Sequence, residues 1–484
     1  MGRIGAADIR RAWYYLRRNG FAAAFYAARE RLAARGKEPY AYRELPRAVL
    51  EEQRSRKWEE EPLFSIVVPA YRTDRRQLCA MIESVLSQTY SRWELLVADA
   101  SPEEDGLGEI VRAYPDERIR YFLLPENRGI AENTNEAVKK AAGAYIGLLD
   151  HDDLLTPDAL YEMADRILQG KRDGVPKRLL YSDEDKIKGE VCFDPHRKED
   201  FNLDLLLSNH YICHFMVMES DLLKDLPLRR EYDGAQDYDL VLRAAGRILD
   251  LRGGAEPASR LSTEPASRLS MEAEIAHIPK VLYHWRCHAG STAQNPQSKW
   301  YAYEAGRRAV QDFARSCGWA AEAVHLKHAG FYRLRYQPDI FSNRPDIGAV
   351  GGVLLVNGKI SGGIYQEDGT NPYEGLRRQD SGYMHKAALF QDAYAVDLRL
   401  LRLRNECRPL WEAVTGRPCG SLAGEAGSDT RSRREASLAQ PDEIGLSLKL
   451  GKALREAGYR VAWDPDWKED RKRNWHGKSN RSNS

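Results

Sequence analysis

The chain reads as an α/β protein built around a mostly parallel sheet, and three observations predict this. Short apolar runs alternate with helix-period segments between residues 64 and 153, the pattern of strands joined by helical crossovers. Two of those runs finish in acids, Asp99 and Asp150, and the second runs directly into the acid-rich turn Asp150-His-Asp-Asp153. In an open parallel sheet the carboxyl ends of strands border the ligand crevice, so these acids are expected to converge on one edge.

The elements follow in order. Phe64-Ser-Ile-Val-Val-Pro-Ala-Tyr71 is a buried strand and its exit loop. Leu78, Met81, Ile82, Val85 and Leu86 recur at helical spacing and give one apolar face. Trp93-Glu-Leu-Leu-Val-Ala-Asp-Ala100 is the second strand. A short helix over 106–113, a strand over 119–124 and a helix over 130–142 lead to the strand Tyr145–Leu149. After Asp153, Thr156 is expected to cap the next helix with Pro157 in its first turn. Further on, Asp237-Tyr-Asp-Leu-Val-Leu-Arg-Ala-Ala245 opens as a helix, and Val281-Leu-Tyr-His-Trp-Arg-Cys-His288 as a strand with His284, Arg286 and His288 on one face.

Composition narrows the function classes. The 484 residues suffice for two or three domains, and a formal net charge of +1 gives no global basicity for nucleic acid. Cys79, Cys192, Cys213, Cys287, Cys317, Cys407 and Cys419 form no CxxC pair, which fits reduced thiols better than a disulfide frame or structural zinc site. Residues 1–35 lack a signal-peptide core, and no run is long enough to span a bilayer. The expected location is cytoplasmic, with peripheral association at the inner face of the plasma membrane as an extension of that reading. Residues 8–35 read as a basic helical extension with Trp13, Leu16, Phe21, Phe25 and Leu32, better suited to docking than to a membrane surface; 36–62 read as a charged linker.

In combination these segments resemble a family 2 glycosyltransferase of the GT-A, Rossmann-like, nucleotide-diphospho-sugar transferase fold. The resemblance rests on Phe64–Tyr71, Gln88-Thr-Tyr90, Trp93–Asp99, Glu126-Asn-Arg-Gly129, Leu148–Asp153, Tyr181-Ser-Asp-Glu-Asp-Lys-Ile187, Asp233-Gly-Ala-Gln-Asp-Tyr-Asp-Leu240 and Ile278–Arg286. It covers residues 62–300 and is nearest to bacterial members that build surface polysaccharides, including rhamnan-type chains. It implies that Pro69, Ala70 and Tyr71 border the nucleotide, that Asp99 accepts from a uracil or thymine N–H, and that Arg128 lies near the sugar nucleotide. Asp150 and Asp152 would form an Asp-x-Asp pair for Mn2+ or Mg2+, with Asp152 the more direct ligand. His288 could supply a further metal or diphosphate contact with His284 beside it; two structural histidines fit that segment equally well. Asp237 would be the general base of an inverting transfer from a UDP- or dTDP-sugar to a glycan or lipid-linked acceptor, other polysaccharide-assembly proteins being further partners. Singly, Tyr71 is an ordinary loop aromatic, Asp99 a strand-end cap, Arg128 a solvated charge and Asp237 an acid favoured by the helix dipole. Many relatives carry Glu-Asp where this chain has Gln236-Asp237.

Residues 63–318 are expected to form the transferase domain. Within it, Glu256-Pro-Ala-Ser-Arg-Leu-Ser262 returns as Glu264-Pro-Ala-Ser-Arg-Leu-Ser270, so 251–274 reads as an inserted surface loop. Residues 319–484 resemble the acceptor half of a second, truncated transferase module. In it Gly348–Val356, Asn357-Gly358 and Lys359–Tyr365 give a hairpin signal, 417–443 a disordered loop, and the stretch after Trp467 a loose basic tail. Three other readings compete. A sugar-nucleotide pyrophosphorylase wants a glycine-rich loop where Pro69-Ala-Tyr-Arg-Thr-Asp74 has none. A glycoside hydrolase wants two carboxylates flanking a sugar. A degenerate, glycan-binding scaffold is opposed by the presence of Asp99, Asp150, Asp152 and Asp237. Pocket shape near Asp183, Asp185 and residues 233–236 is expected to select the donor sugar.

Overall fold

A computed structural model of the chain describes residues 17, 40–251, 271–287, 300–418 and 441–471. The expected helix over 8–35 (save position 17), most of the repeat-bearing loop, His288, residues 419–440 and the end of the basic tail lie outside them. The chain divides into two compact units, with the division at residue 337.

The amino-terminal unit begins with a helix absent from the sequence expectation, α1 (Arg47–Ser55), inside the charged linker. Only Gln53 of this helix is buried, so no apolar stripe announces it. Next come β1 (Phe64–Ala70), α2 (Arg75–Leu86), β2 (Trp93–Asp99), α3 (Leu107–Arg112), β3 (Ile119–Leu123), α4 (Ile130–Val138) and β4 (Tyr145–Leu148). β3, β2, β1 and β4 lie side by side and parallel, Ala70 level with Asp99 and Val67 with Leu148. The Asp74 side chain caps α2 by accepting from Arg76 N and Gln77 N.

β5 (Leu154–Leu155) and α5 (Ala159–Arg172) follow. The helix starts later than expected, because the Thr156 hydroxyl donates to Asp158 Oδ1 and the Thr156 carbonyl accepts from Gln88 Nε2. The 156–158 segment is thereby held as a turn. The chain then runs through β6 (Leu179–Lys188), β7 (Val191–His196), α6 (Leu203–Ser208), β8 (Met216–Glu219), α7 (Ser220–Asp225), α8 (Gln236–Ile248) and β9 (Ile275–Arg286). β8 inserts antiparallel between β4 and β6, and β9 runs parallel beside β6. Among the described residues the sheet has nine strands, ordered β3-β2-β1-β4-β8-β6-β9-β5 with β7 on β6. This curled α/β sheet, parallel from β3 to β4 but mixed beyond it rather than mostly parallel as expected, is consistent with the GT-A layout the resemblance implies. One core unites Ile66, Val68, Leu78, Ile82, Leu95, Leu160, Phe215, Val217 and Leu282 across the sheet and its helices. The unit closes with α9 (Trp300–Ser316) and the hairpin β10 (Ala321–His325) and β11 (Tyr332–Tyr336).

The carboxy-terminal unit has its own core around Trp463, Trp411, Leu450 and Leu454. β12 (Ile347–Val356) and β13 (Lys359–Gly362) form the expected hairpin. Asn357 and Gly358 both have positive φ, 53° and 72°, which matches the twist of the flanking strands. The remaining elements are β14 (Ile364–Tyr365), β15 (Gln391–Asp392), β16 (Ala395–Val396), β17 (Leu401–Leu403), α10 (Arg408–Thr415), α11 (Pro441–Glu456) and β18 (Arg460–Arg471). Two details depart from expectation. Residues 441–443 are the first turn of α11 rather than loop, and 468–471 continue β18 alongside Val353–Val356 of β12. Main-chain pairing fixes this end of β18, so its polar side chains gave no strand signal.

Candidate functional site

Parallel register brings the carboxyl ends of β1, β2, β3 and β4 to one edge, and the expected residues lie along it. Pro69 and Ala70 end β1, and Tyr71 projects beyond them with 41% of its surface exposed. Ala100 N donates to Ala70 O and Arg72 N to the Ser101 hydroxyl, which clip the two loops together. Asp99 is buried; its Oδ1 accepts from Ser101 N at 2.8 Å and its Oδ2 from the Tyr121 hydroxyl at 2.9 Å. Arg128 is half-exposed, 3.5 Å from Glu126 and 3.8 Å from Glu132. Its neighbour Gly129 has φ +97°, and a Cβ there would meet Asp233 Oδ2 at 2.3 Å. Asp233 in turn accepts from Ala131 N at the start of α4, so the 233–236 loop and the Arg128 loop are tied to one another.

The turn after β4 is fastened by its third acid. Asp153 is buried, with Oδ2 accepting from the Tyr283 hydroxyl at 2.5 Å and Oδ1 from Arg286 N at 2.7 Å. Arg286 Nε also donates to the Asp152 carbonyl. Asp153 therefore anchors the turn to β9, leaving Asp150 and Asp152 as its half-open acids. Asp150 stands deep among protein atoms, yet 44% of its side chain meets solvent, as in a recess. Burial pushes its carboxyl up, His214 pulls it down, and Asp152 and Asp237 push it up again. Asp237 is thus within electrostatic reach of Asp150.

Asp237 occupies the first turn of α8. Burial would raise its carboxyl, but His210 and His214 outweigh that and hold it at about 2. His210 Nε2 is 3.2 Å from Asp237 Oδ2, and Tyr238 N donates to Oδ1 at 2.8 Å. His210 stacks on Tyr238, 4.8 Å between ring centres.

Several residues that complete this site escaped the sequence reading. His214 Nε2 lies 3.8 Å from Asp150 Oδ2, while its Nδ1 is 3.2 Å from Glu184 Oε2. The ring stacks on Tyr283 at 4.6 Å and 9°. Burial lowers the His214 pKa, but Cys213 and Glu184 together raise it well above the usual range. Behind Glu184, the fully buried Lys198 ammonium donates to the Ile212 and His214 carbonyls and sits 3.4 Å from Glu184 Oε2. The signal available was His210-Tyr-Ile-Cys-His214 itself, directly after a buried apolar helix.

Other expected residues lie elsewhere. His284 turns away from this cluster: its Nδ1 is 2.5 Å from Asp185 Oδ1 and 3.7 Å from Cys192 Sγ, and Tyr42 packs edge-on against it. Asp185 also accepts from the Tyr40 hydroxyl, and Asp183 is occupied by His277 and Lys198 N. Glu184, between those two acids, is the carboxylate of β6 that meets His214. Alternation along the strand explains the exchange. His288 lies outside the described residues.

Hard carboxylate oxygens at Asp150 and Asp152, in a recess where negative groups crowd one another, suit a divalent cation such as Mg2+ or Mn2+. Among the described residues no helix is long and apolar enough to cross a membrane.

Comparison with known proteins adds the following. The profile of "Glycosyl transferase family 2" matches residues 65–226. An uncharacterized protein of Sinorhizobium fredii is 39% identical over 268 residues, 54% of this chain and 27% of that protein. An O-antigen biosynthesis protein of Myxococcus xanthus is 30% identical over 319 residues, 63% of this chain and 23% of that protein. The matched region thus spans about a quarter of either relative's length. A UDP-Glc:alpha-D-GlcNAc-diphosphoundecaprenol beta-1,3-glucosyltransferase of Escherichia coli is 36% identical over 181 residues, 37% of this chain and 68% of that enzyme.

Proposed function

This chain belongs to glycosyl transferase family 2, and on that premise we propose that it is an inverting transferase of bacterial surface-polysaccharide synthesis. It moves a hexosyl or rhamnosyl group from a UDP- or dTDP-sugar to a hydroxyl of a glycan or lipid-linked acceptor. The observation that carries this reading is the gathering of Asp150 and Asp237 around the His210–His214 segment, with His214 Nε2 3.8 Å from Asp150 Oδ2 and His210 Nε2 3.2 Å from Asp237 Oδ2.

Pro69, Ala70 and Tyr71 border the nucleotide, and Arg128 lies beside its sugar end. Each Asp99 oxygen already accepts one bond and keeps a second lone pair for a base N–H. Asp150 and Asp152 are the residues to hold Mn2+ or Mg2+, with His288 as a further contact. When bound, such a cation offsets charge on the departing diphosphate.

Asp237 takes the proton of the acceptor hydroxyl as that oxygen attacks the anomeric carbon. The bond from that carbon to the diphosphate breaks on the opposite face, and its electron pair leaves with the nucleoside diphosphate. One displacement inverts the configuration. His210 and Tyr238 N orient the Asp237 carboxylate. A neighbouring diphosphate raises the proton affinity of Asp237 by like-charge repulsion and so strengthens it as a base. The carboxy-terminal unit is the candidate for acceptor binding or scaffolding, and the enzyme works in the cytoplasm against the inner membrane face.

Calorimetry of UDP- and dTDP-sugars, with and without Mn2+, tests the reading on wild type and Asp152→Ala. Mn2+-dependent binding abolished by the substitution supports it. A folded wild type that binds no nucleotide with or without the metal overturns it in favour of a scaffold.

A further inference from the structure

The His214 imidazole is fixed from two sides, by Glu184 and by Tyr283. Glu184 Oε2 is 3.1 Å from His214 N and 3.2 Å from its Nδ1, so one carboxylate oxygen fixes both backbone and ring. Lys198 fixes Glu184 from behind, and Tyr283 fixes the ring plane from the side. These contacts place the proton on Nδ1 and point Nε2 into the recess. There it faces Asp150 Oδ2 at 3.8 Å, beyond hydrogen-bonding distance. With metal–ligand bonds of about 2.1 Å, adjacent ligands of an octahedron are about 3.0 Å apart and opposite ones about 4.2 Å. The observed span falls between the two.

A carboxylate behind one ring nitrogen and an open site before the other is the arrangement that orients metal-binding histidines and strengthens them as donors. We propose that His214 Nε2 is a ligand of the divalent cation, facing Asp150, with Glu184 as the carboxylate that sets its tautomer. The proposal rests on the metal-dependent transferase reading and adds a ligand to it. Binding displaces any proton on Nε2 to the buffer. A nitrogen donor beside hard carboxylates favours Mn2+ over Mg2+ in this site.

Pulsed electron paramagnetic resonance of Mn2+ bound with UDP or dTDP tests this without turnover. Wild type is measured with natural-abundance nitrogen and again with 15N-labelled histidine. The expected result is a directly bonded histidine nitrogen coupling that changes with the label, persists in His288→Ala and disappears when His214→Asn is added to His288→Ala. Glu184→Gln is expected to weaken Mn2+ binding by about 10- to 100-fold. Bound Mn2+ and nucleotide without histidine coupling overturn the proposal and leave the transferase reading standing. Loss of the coupling in His288→Ala, or its survival in the folded double variant, also overturns it. Nucleotide binding with no Mn2+ overturns the metal reading and this ligand together. Absence of the coupling from wild type decides against the proposal even if a variant fails to fold.

Discussion

Lys198→Met isolates the charge balance on which the recess depends. The substitution keeps the length and apolar stem of a side chain that is 0% exposed and removes its ammonium. Glu184, 7% exposed, would remain as a buried carboxylate supported only by His196 and His214 among its cationic neighbours. Breaking a buried pair from one side costs about 3–5 kcal/mol. The carbonyls of Ile212 and His214 also lose a charged donor, each loss adding on the order of 1 kcal/mol before relaxation. A net destabilisation of about 5–7 kcal/mol before relaxation follows, roughly four to five orders of magnitude in the folding equilibrium. Lys198→Met/Glu184→Gln should recover about 2 kcal/mol, because a neutral amide needs no counter-charge. Urea unfolding at pH 7, followed by tryptophan fluorescence on the four proteins of the cycle, measures both quantities. A single-variant loss below about 1 kcal/mol, or additivity within about 0.5 kcal/mol, would refute the reasoning.

Four further outcomes are expected. Asp237→Asn should reduce kcat by about 10²- to 10⁴-fold with nucleotide affinity unchanged, as turnover and calorimetry would reveal. Since the folded Asp237 sits at about 2, below the unfolded value of about 3.9, its stabilisation is present above that unfolded value and lost as pH falls towards 2. The stability gap between wild type and Asp237→Asn in urea should therefore shrink from pH 5 to about pH 2.5; a constant gap would contradict the assignment. Tyr283→Phe removes the hydroxyl that Asp153 Oδ2 accepts from and should cost about 1.5–3 kcal/mol by urea unfolding. Gly358→Ala meets no atom within 4 Å but must hold φ at 72°, so it should cost the carboxy-terminal unit about 1–2 kcal/mol from backbone strain alone.

What could be read in advance was local. The runs Phe64–Ala70, Trp93–Asp99 and Tyr145–Leu148 are largely apolar and end in loops or acids, so strand identity and crevice edge were both legible. Asn357-Gly358 carries its turn type in two residues. By contrast, Glu184, Lys198 and His214 meet only because β8 folds back antiparallel between β4 and β6. No spacing in the chain encodes that return. The different fates of Asp150 and Asp153 depend on Tyr283, more than a hundred positions away. Asp183 and Asp185 were singled out in the right strand, but that the acid between them, Glu184, meets His214 depends on tertiary pairing that the sequence does not display. Helix α1 was missed because its exposed polar surface leaves only the weak signal of propensity.

The β6–β9 pair carries ionisable groups on both of its faces. Glu184 lies level with Tyr283 and turns towards His214; Asp185 lies level with His284 and turns towards Tyr40 and Tyr42. Neighbouring positions thus serve opposite sides of the sheet like the two edges of a ruler. Sliding either strand by one residue would strand a buried carboxylate on each side at once, a double penalty that an apolar strand pair would not incur. Alignment here is enforced by charge as well as by shape. The 3.8 Å interval between His214 and Asp150 therefore inherits its accuracy from contacts on both faces of the sheet.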